Sequence, residues 1–476
     1  MSKYEKTIGL EVHVELKTKS KLFSSSANTY GMDTNTCVNV VDLGYPGTLP
    51  TINEEVLRLG VKAAHILHCK ITKRMHFDRK NYFYPDNPKN YQITQNRTPI
   101  GTDGYIEIEI DGEKKKIGIE EIHIEEDTCK SAHRGKVSLL DFNRAGVPLL
   151  EIVSKPCIKT KEEAIKYLEK LKELLFYSDI SDCKMEEGSM RCDANVSLSK
   201  DKDKLGVKCE VKNMGSIHSV GVAIELEEKR QEECLEKGEV IKEQTRRYDE
   251  KKKATILMRV KETGNDYRYF PEPDIPFVIL EDAFIENAIA TIPKLPDELR
   301  EIYQEKGLSK TQAEKIIANR SLSAYFNQFI KRKTNYTLAA NLLLGDVAAY
   351  LNKKNTTIDK TNLTFNRLQE LIEKIEDGSL SSKNTKEILE MVIETDTPIE
   401  VIMKEKGIQN IKDDSIILQV IEKVMQENEA SVKDYLDGKD RAFKYLMGQV
   451  MKETKGSVNP KKANDLLKEK LKERSV

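Results

Sequence analysis

The chain of 476 residues carries many charges that nearly cancel, 78 lysines and arginines against 79 aspartates and glutamates. This balance excludes a protein-wide basic field, so contacts with nucleic acid would need local patches. No apolar run approaches the roughly 18 residues of a membrane-spanning helix, and the N-terminus has no signal or transit pattern. Eight scattered cysteines without a CxxC pair predict reduced thiols and no structural zinc site. Together these features predict a cytoplasmic protein with no membrane partner.

The elements expected over residues 1–292 indicate an α+β domain. Short alternating apolar runs, separated by Gly, Pro, Asn and Asp, predict a mainly antiparallel sheet. The segment TKEEAIKYLEKLKELLFYS at 160–178 is the clearest helix. Beyond Pro293 the chain becomes rich in Lys and Glu with helical periodicity, which predicts an all-α helical domain at 293–407 and a small helical tail domain at 408–476.

The first expected strand, IGLEVHVEL at residues 8–16, separates its side chains by parity. Its apolar residues share one face, while Glu11, His13 and Glu15 share the other. Taken alone, this is the pattern of a half-solvated strand in an antiparallel sheet. It recurs, however, in four later strands, at Glu125 in IGIEEIHIEEDTCK, Glu151 in GVPLLEIVSKP, Asp193 in MRCDANVSL and Glu210 in VKCEVKN. If these strands are neighbours in one sheet, their acidic side chains converge.

A cluster of carboxylates needs a counter-charge, because each one raises the pKa of its neighbours. A divalent cation supplies it, and ligands rich in oxygen suit Mg²⁺, or Mn²⁺ when an imidazole is among them. Basic residues suited to phosphate oxygens lie among the acids, namely Arg144, Arg191, Lys208, Arg247 and Arg268. The combination predicts metal-dependent phosphoryl transfer. Since the sequence has no P-loop, GxGxxG or kinase-like motif, ATP would bind on an open sheet face.

The tail is locally basic. From residue 431 onward it has 12 lysines and arginines against 7 acidic residues. A solvated helical face is the ordinary explanation of such a segment. A phosphate-binding patch is the alternative.

Several long motifs occur in order over the first 276 residues, namely IGLEVHVEL, DRKNYFYPDNPKNYQITQ, EEDTCKSAH, DFNRAGVPLLEIVSKP, EEGSMRCDANVSL, CEVKNMGS, TRRYDE and YRYFPEPDIP. The similarity resumes near the C-terminus at GQVMKETKGSVNP. Together these motifs resemble the B subunits of bacterial tRNA-dependent amidotransferases. The resemblance implies a cradle domain related in fold to the catalytic domain of glutamine synthetase, followed by a helical linker and a helical tail.

The resemblance also implies an activity. The protein would be a ligase of protein biosynthesis that converts misacylated Glu-tRNA(Gln), Asp-tRNA(Asn) or both to the amide form. ATP and Mg²⁺ would phosphorylate the side-chain carboxylate of the aminoacyl group. Ammonia from an amidase (glutaminase) partner, the family's A subunit, would displace the phosphate. The family's small C subunit would complete the complex, and no DNA partner is expected.

Residue roles follow from the same resemblance. The implied metal ligands are Glu11, His13, Glu125, Glu126 and Glu151, and the acidic site also takes in Asp193 and Glu210. Lys80 resembles the family's contact to the tRNA acceptor end. Tyr82 would stack on the terminal adenosine or pack within its own loop. Lys461 and Lys462 are the tail residues expected to contact tRNA.

Two other functions stay open on the sequence alone. One is a free-standing metal-dependent kinase or ligase for a small carboxylic acid, and the other is a non-catalytic tRNA-binding scaffold. The basic tail argues against the first, since a small-molecule enzyme has no need of it. The acidic cluster argues against the second.

Overall fold

The computed structural model describes residues 3–201, 204–260, 267–380, 382–407, 414–454, 458 and 460–474, without the side chains of residues 382, 383, 460 and 461. The chain divides into two compact units, Met1–Leu295 and Pro296–Val476. The division into three domains stays a prediction. Among the described residues, no helix combines the length and the apolar character that a bilayer crossing requires.

The first unit is built mainly from strands. Its strands are β1 (Glu5–Glu15), β2 (Lys70–Ile71), β3 (Arg74–Met75), β4 (Asp78–Asn81), β5 (Tyr91–Thr94), β6 (Gly101–Ile110), β7 (Glu113–Glu126), β8 (Lys130–Arg134), β9 (Val137–Asp141), β10 (Pro148–Ser154), β11 (Met190–Ser199), β12 (Cys209–Lys212), β13 (Gln244–Asp249), β14 (Ala254–Val260), β15 (Phe270–Pro271) and β16 (Val278–Ile279). Its helices are α1 (Glu54–Ile66), α2 (Lys161–Tyr177), α3 (Ile217–Glu236) and α4 (Asp282–Ala290).

Nine of these strands form one large sheet, in the order β14-β13-β12-β11-β1-β10-β7-β6-β2. The neighbours β12 and β13 run parallel, and the other neighbouring pairs run antiparallel. Smaller sheets are formed by β15-β4-β5, by β16-β3 and by β8-β9. With the helical second unit described below, this arrangement confirms the predicted α+β class and its mainly antiparallel sheet.

The apolar face of β1 lies in the core of the first unit. Leu10, Val12 and Val14 are at most 1% exposed, as the alternation predicts. Helices α2 and α3 pack on the sheet at β6 and β11, and α2 is preceded by Thr160, whose hydroxyl accepts a hydrogen bond from the Glu163 N–H. Burial of each large aliphatic side chain stabilises the fold by about 1.5–3 kcal/mol. Burial of one face against the helices therefore stabilises the sheet, and the other face can carry polar groups.

The described residues of the second unit form helices joined by loops, without a strand. Its helices are α5 (Pro296–Glu305), α6 (Lys310–Ile317), α7 (Arg320–Ile330), α8 (Tyr336–Leu342), α9 (Ala348–Lys354), α10 (Phe365–Glu376), α11 (Ser382–Glu394), α12 (Ile399–Glu405), α13 (Asp414–Glu427), α14 (Glu429–Leu436), α15 (Asp440–Glu453) and α16 (Pro460–Glu473). A π-helical turn, Leu343–Val347, joins α8 to α9. Gly307 and Gly378 follow α5 and α10 with φ of 88° and 74°, a conformation that glycine adopts without strain at helix ends.

Arg367 in α10 fastens the end of α11 and the segment that follows it. Its guanidinium donates hydrogen bonds of 2.5–3.0 Å to the carbonyl oxygens of Asn362, Val392, Thr395 and Thr397. The last carbonyls of a helix have no partner within the helix. Arg367 supplies such a partner, so this single side chain connects α10 to the α11–α12 loop.

Candidate active site

The strands expected to share an acidic face are consecutive in the large sheet, in the order β12-β11-β1-β10-β7. Glu11 pairs with Asp193 across the β1–β11 ladder, and His13 pairs with Glu151 across the β1–β10 ladder. Residues directly opposite one another on neighbouring strands point to the same face. The parity seen in the sequence therefore becomes a single polar surface on the side of the sheet away from α2 and α3.

Three residues at the centre of this surface could hold a metal ion. One ligand atom from each of Glu11, His13 and Glu151 lies within 4.8 Å of the other two. His13 Nε2 is 3.7 Å from Glu11 Oε1. Two carboxylates and one imidazole form a donor set that suits Mn²⁺, and the oxygens suit Mg²⁺. These three residues are called the triad below.

The electrostatics of the triad favour an added cation. Burial, followed by the charges of Glu151 and Asp193, raises the pKa of Glu11 to about 8. Burial lowers the pKa of His13, which keeps its imidazole neutral and able to act as a ligand. Burial also opposes ionisation of Glu151, but the charges of His123 and Lys80 and a hydrogen bond with Glu11 outweigh it and lower the pKa of that carboxyl. An ionised carboxylate, a neutral imidazole and a proton-binding carboxyl form a site that exchanges protons for a metal ion.

Glu125 and Glu126 are adjacent in β7 but point to opposite faces. Glu125 Oε1 lies 3.5 Å from His13 Nε2, at the edge of the triad, and burial followed by the charge of Glu151 raises the pKa of Glu125 to about 8. The carboxylate of Glu126 instead accepts hydrogen bonds from the Lys89 ammonium and from the Ile93 N–H. The structure thus brings Glu125 to the triad and places Glu126 away from it.

Asp193 and Glu210 lie beside the triad with a lysine between them. Lys212 Nζ is 2.5 Å from Asp193 Oδ2 and 3.0 Å from Glu210 Oε1. The Thr245 hydroxyl donates to Glu210 Oε2 at 2.9 Å. These two carboxylates therefore have a protein counter-charge.

Arg144 and Arg191 lie at the other end of the triad. Both contact one oxygen of Asp127, Arg144 through Nε at 2.5 Å and Arg191 through Nη2 at 2.9 Å. Arg144 Nε is also 3.4 Å from Glu15 Oε1. Arg191 pairs with His13 across the β1–β11 ladder, so its side chain leaves the sheet on the face of the triad.

The other three basic residues expected to bind ATP contact residues outside the triad. Lys208 is largely exposed and its Nζ is 3.9 Å from Glu243. Arg247 pairs with Lys212 across the β12–β13 ladder, and its Nη2 is 3.6 Å from Asp249. Arg268 is exposed, and its carbonyl oxygen accepts a hydrogen bond from the Asn81 side chain at 2.8 Å. A role in binding ATP stays a prediction for these three residues.

Lys80 is directed at the acidic cluster. It lies on β4, and although burial disfavours its charge, the carboxylates of Glu125 and Glu151 outweigh that cost and raise its pKa. Its ammonium is 5.1 Å from the centre of the Tyr267 ring, and Tyr82 meets the same ring edge-on, with centroids 6.4 Å apart. Lys80 and Tyr82 therefore both contact the Tyr267 ring beside the triad.

The expected tRNA contacts of the tail are only partly described. The side chain of Lys461 lies outside the described residues. Lys462 is half-exposed and forms an ion pair with Asp414. Its ammonium is therefore within reach of solvent and is held by a carboxylate of the same unit.

Strand alternation accounts for two further residues of this surface, since Lys212 has the parity of Glu210 and Asp127 has the parity of Glu125. One residue was missed from the sequence. Thr94, whose hydroxyl donates to Glu125 Oε2 at 3.3 Å, comes from β5 in a separate sheet and gave no such signal.

Comparison with known proteins identifies the family. A family model described as the GatB/GatE catalytic domain matches residues 6–286, and one described as the GatB domain matches residues 324–471. The chain is 49% identical over 474 residues to the B subunit of the aspartyl/glutamyl-tRNA(Asn/Gln) amidotransferase of Bacillus velezensis, covering 99% of this chain and 100% of that protein. It is 48% identical over 474 residues to the protein of that name in Geobacillus thermodenitrificans, again covering 99% and 100%. These matches confirm the resemblance seen in the motifs, and the chain belongs to the GatB/GatE family of amidotransferase B subunits.

Proposed function

We propose that this chain carries out the ATP-dependent step of tRNA-dependent transamidation, which converts Glu-tRNA(Gln), Asp-tRNA(Asn) or both to the amide form. Family membership supports the overall reaction, because the relatives are named as B subunits of aspartyl/glutamyl-tRNA(Asn/Gln) amidotransferases. The observation that carries the assignment of the site is the convergence of Glu11, His13 and Glu151 within 4.8 Å on one sheet face.

The reaction needs activation of a carboxylate, which is a poor electrophile towards ammonia. In the proposed first step, an oxygen of the aminoacyl side-chain carboxylate attacks the γ-phosphorus of ATP, and ADP leaves with the electrons of the broken P–O bond. In the second step, ammonia attacks the carbonyl carbon of the acyl phosphate, phosphate leaves, and one proton is released as the amide forms. Such a phosphoryl transfer depends mainly on positioning and on neutralisation of charge.

The residues of the triad fit a divalent cation, and we assign Mg²⁺ or Mn²⁺ to them. Two half-buried carboxylates and an imidazole converge there, and Glu125 lies 3.5 Å from His13 at the edge. A bound ion would neutralise negative charge on the transferring phosphoryl group. We do not include Glu126 among the ligands, because Lys89 and a backbone amide hold its carboxylate.

Basic residues on both sides of the triad would hold the anionic substrates. Arg144 and Arg191 offer guanidinium donors suited to phosphate oxygens. Lys80 lies beside Glu125 and Glu151, so its ammonium can orient a phosphate or the acceptor carboxylate. The neighbouring Tyr82 and Tyr267 rings offer faces on which the terminal adenosine of tRNA can stack.

The partners follow from the proposed chemistry. The relatives are named as B subunits, and we assign the supply of ammonia to an amidase, the A subunit, with a small C subunit completing the complex. The tail, including Lys461 and Lys462, would contact tRNA through phosphate groups. Because the substrates are aminoacyl-tRNAs, we assign the enzyme to the cytoplasm.

The test compares the full chain, alone and with the amidase partner from the same organism, in ATP cleavage with Glu-tRNA, Asp-tRNA or free glutamate. We expect ATP cleavage that requires the aminoacyl-tRNA, and amide product only when ammonia or the partner with glutamine is present. Glu151→Gln should abolish cleavage, whereas Glu120→Gln, an exposed carboxylate in the same sheet, should leave it unchanged. Cleavage with free glutamate alone would instead identify a small-molecule kinase, and no cleavage under any condition would identify a scaffold.

A further inference from the structure

Asp127 occupies a rigid position directly after β7. Its N–H donates to the Val147 carbonyl at 2.8 Å, and its own carbonyl accepts from the Gly146 N–H at 2.9 Å. Its side chain is almost completely buried, and one of its oxygens, Oδ1, accepts from the Thr128 N–H at 2.8 Å. Backbone and side chain are thus both fixed, so the carboxylate has one position relative to the sheet.

The second oxygen of this carboxylate joins two arginines from different parts of the chain. Oδ2 is 2.5 Å from Arg144 Nε and 2.9 Å from Arg191 Nη2. Arg144 lies in the loop before β10, whereas Arg191 lies on β11, on the other side of β1. Two guanidinium groups repel each other at short range. The shared carboxylate is therefore what keeps them together at the end of the triad.

Arg144 has buried nitrogens whose hydrogen-bonding capacity the protein does not use. In the described part of the chain, Arg144 Nε is 2.5 Å from Asp127 Oδ2 as an ion pair but makes no hydrogen bond, and Arg144 Nη2 has no hydrogen-bond partner. A buried polar group without a partner is costly and calls for an explanation. Because this donor belongs to a guanidinium beside the triad, an oxygen of a bound phosphate or carboxylate is the acceptor that would satisfy it.

We propose that Asp127 is a positioning residue that sets the spacing of Arg144 and Arg191 so that together they grip a phosphate oxygen of the nucleotide. This inference rests on the proposed function, and it adds a residue that touches no reacting atom. Asp127 acts only through the two arginines. Its removal should therefore weaken nucleotide binding while leaving the metal ligands in place.

The first test measures binding without turnover. The full chain and its Asp127→Asn variant are titrated by calorimetry with β,γ-imido-ATP in the presence of Mg²⁺, and separately with Mn²⁺ alone. We expect the affinity for the nucleotide to fall about 10-fold and the affinity for Mn²⁺ to stay within about 2-fold. Asp103→Asn is the matched control, since Asp103 is exposed, forms a surface ion pair with Lys155, and has a φ of 59° that asparagine tolerates. Unchanged nucleotide affinity in Asp127→Asn would overturn the inference.

The second test is a mutant cycle on the complete enzyme. Asp127→Asn, the pair Arg144→Gln/Arg191→Gln and the triple variant are compared in kcat/KM for ATP with aminoacyl-tRNA. If Asp127 acts only through the two arginines, kcat/KM of the triple variant should be no more than about 3-fold below that of the arginine pair. Effects that multiply would show that Asp127 acts independently of the two arginines and would overturn the proposal.

A third variant covers the possibility that Asp127→Asn does not fold. Asp127→Glu keeps the charge but moves it by about one bond length, so a positioning role predicts a loss of at least about 3-fold in kcat/KM for ATP at unchanged melting temperature. Kinetics identical to the wild type would contradict that role. Failure of the proposed function has a different signature, because the wild-type enzyme itself would then neither bind the nucleotide nor cleave ATP.

Discussion

Replacing Glu11 with glutamine should stabilise the metal-free protein and weaken its binding of metal. Ligand atoms of Glu11 and Glu151 lie within 4.8 Å of each other. At that distance, with an effective dielectric constant of about 20, two unit charges repel by about 3.5 kcal/mol. Proton uptake limits this cost, since burial and neighbouring carboxylates raise the pKa of Glu11 to about 8. The neutral glutamine also offers an amide donor to Glu151.

We therefore expect Glu11→Gln, without metal, to be more stable than the wild type by about 1–3 kcal/mol. Loss of a ligand should at the same time weaken Mn²⁺ binding by about 100-fold or more. A Mn²⁺ concentration of about 100 times the wild-type Kd stabilises the wild type by about 2.7 kcal/mol, but it would stabilise the variant by only about 0.4 kcal/mol. Without metal, Glu11→Gln should thus have a higher free energy of unfolding than the wild type, and Mn²⁺ should raise that free energy only slightly.

The assay is native-state hydrogen exchange of the amides of β1 and β10, with and without Mn²⁺, because it reports the free energy of opening at the triad itself. Glu120→Gln is the control, since Glu120 is an exposed carboxylate on β7 and should change neither quantity. If Glu11→Gln were less stable than the wild type without metal and gained as much from Mn²⁺, Glu11 would be a structural residue and not a ligand.

Three further predictions concern other parts of the chain. Lys212→Met leaves Asp193 and Glu210 without their shared cation, so urea unfolding should show a loss of about 1–2 kcal/mol; an unchanged free energy of unfolding would contradict this explanation. Arg367→Ala removes the donor to four carbonyl oxygens and should lower the free energy of unfolding of the second unit by about 2–4 kcal/mol. The amides of α10–α12 should then exchange hydrogen faster, while Mn²⁺ binding stays the same. Unchanged exchange would show that these hydrogen bonds do not stabilise the unit. Deletion of residues 408–476 should lower the affinity for tRNA and flatten its salt dependence without affecting Mn²⁺ binding, and an unchanged salt slope in filter binding would remove the tail from the tRNA interface.

The acidic surface could be predicted from the sequence because strand geometry has a period of two. Once β1 was identified by Leu10, Val12 and Val14, its polar residues had to share the opposite face. Which strands are neighbours does not follow from parity, however. The resemblance to the family implied only that the acidic residues form one site, and the registers of Glu11 with Asp193 and of His13 with Glu151 are consistent with that expectation.

Other features depend on tertiary arrangement and left no local signal. Lys80 lies on β4, in a three-stranded sheet separate from the triad, so nothing in its own segment indicates that its ammonium faces Glu125. Glu126 shows the opposite case. It follows Glu125 directly, so alternation alone sends it to the other face of β7, where it meets Lys89. Glu125 and Glu126 are adjacent in the family motif, but their side chains point to opposite faces of β7.

The central claim is that Glu11, His13 and Glu151 bind one divalent cation on the open face of the sheet. The most direct measurement is anomalous scattering from crystals of the full chain soaked in Mn²⁺. The account predicts a peak at coordination distance from all three side chains. A peak elsewhere, with each of the three side chains paired to a separate lysine or arginine, would contradict it.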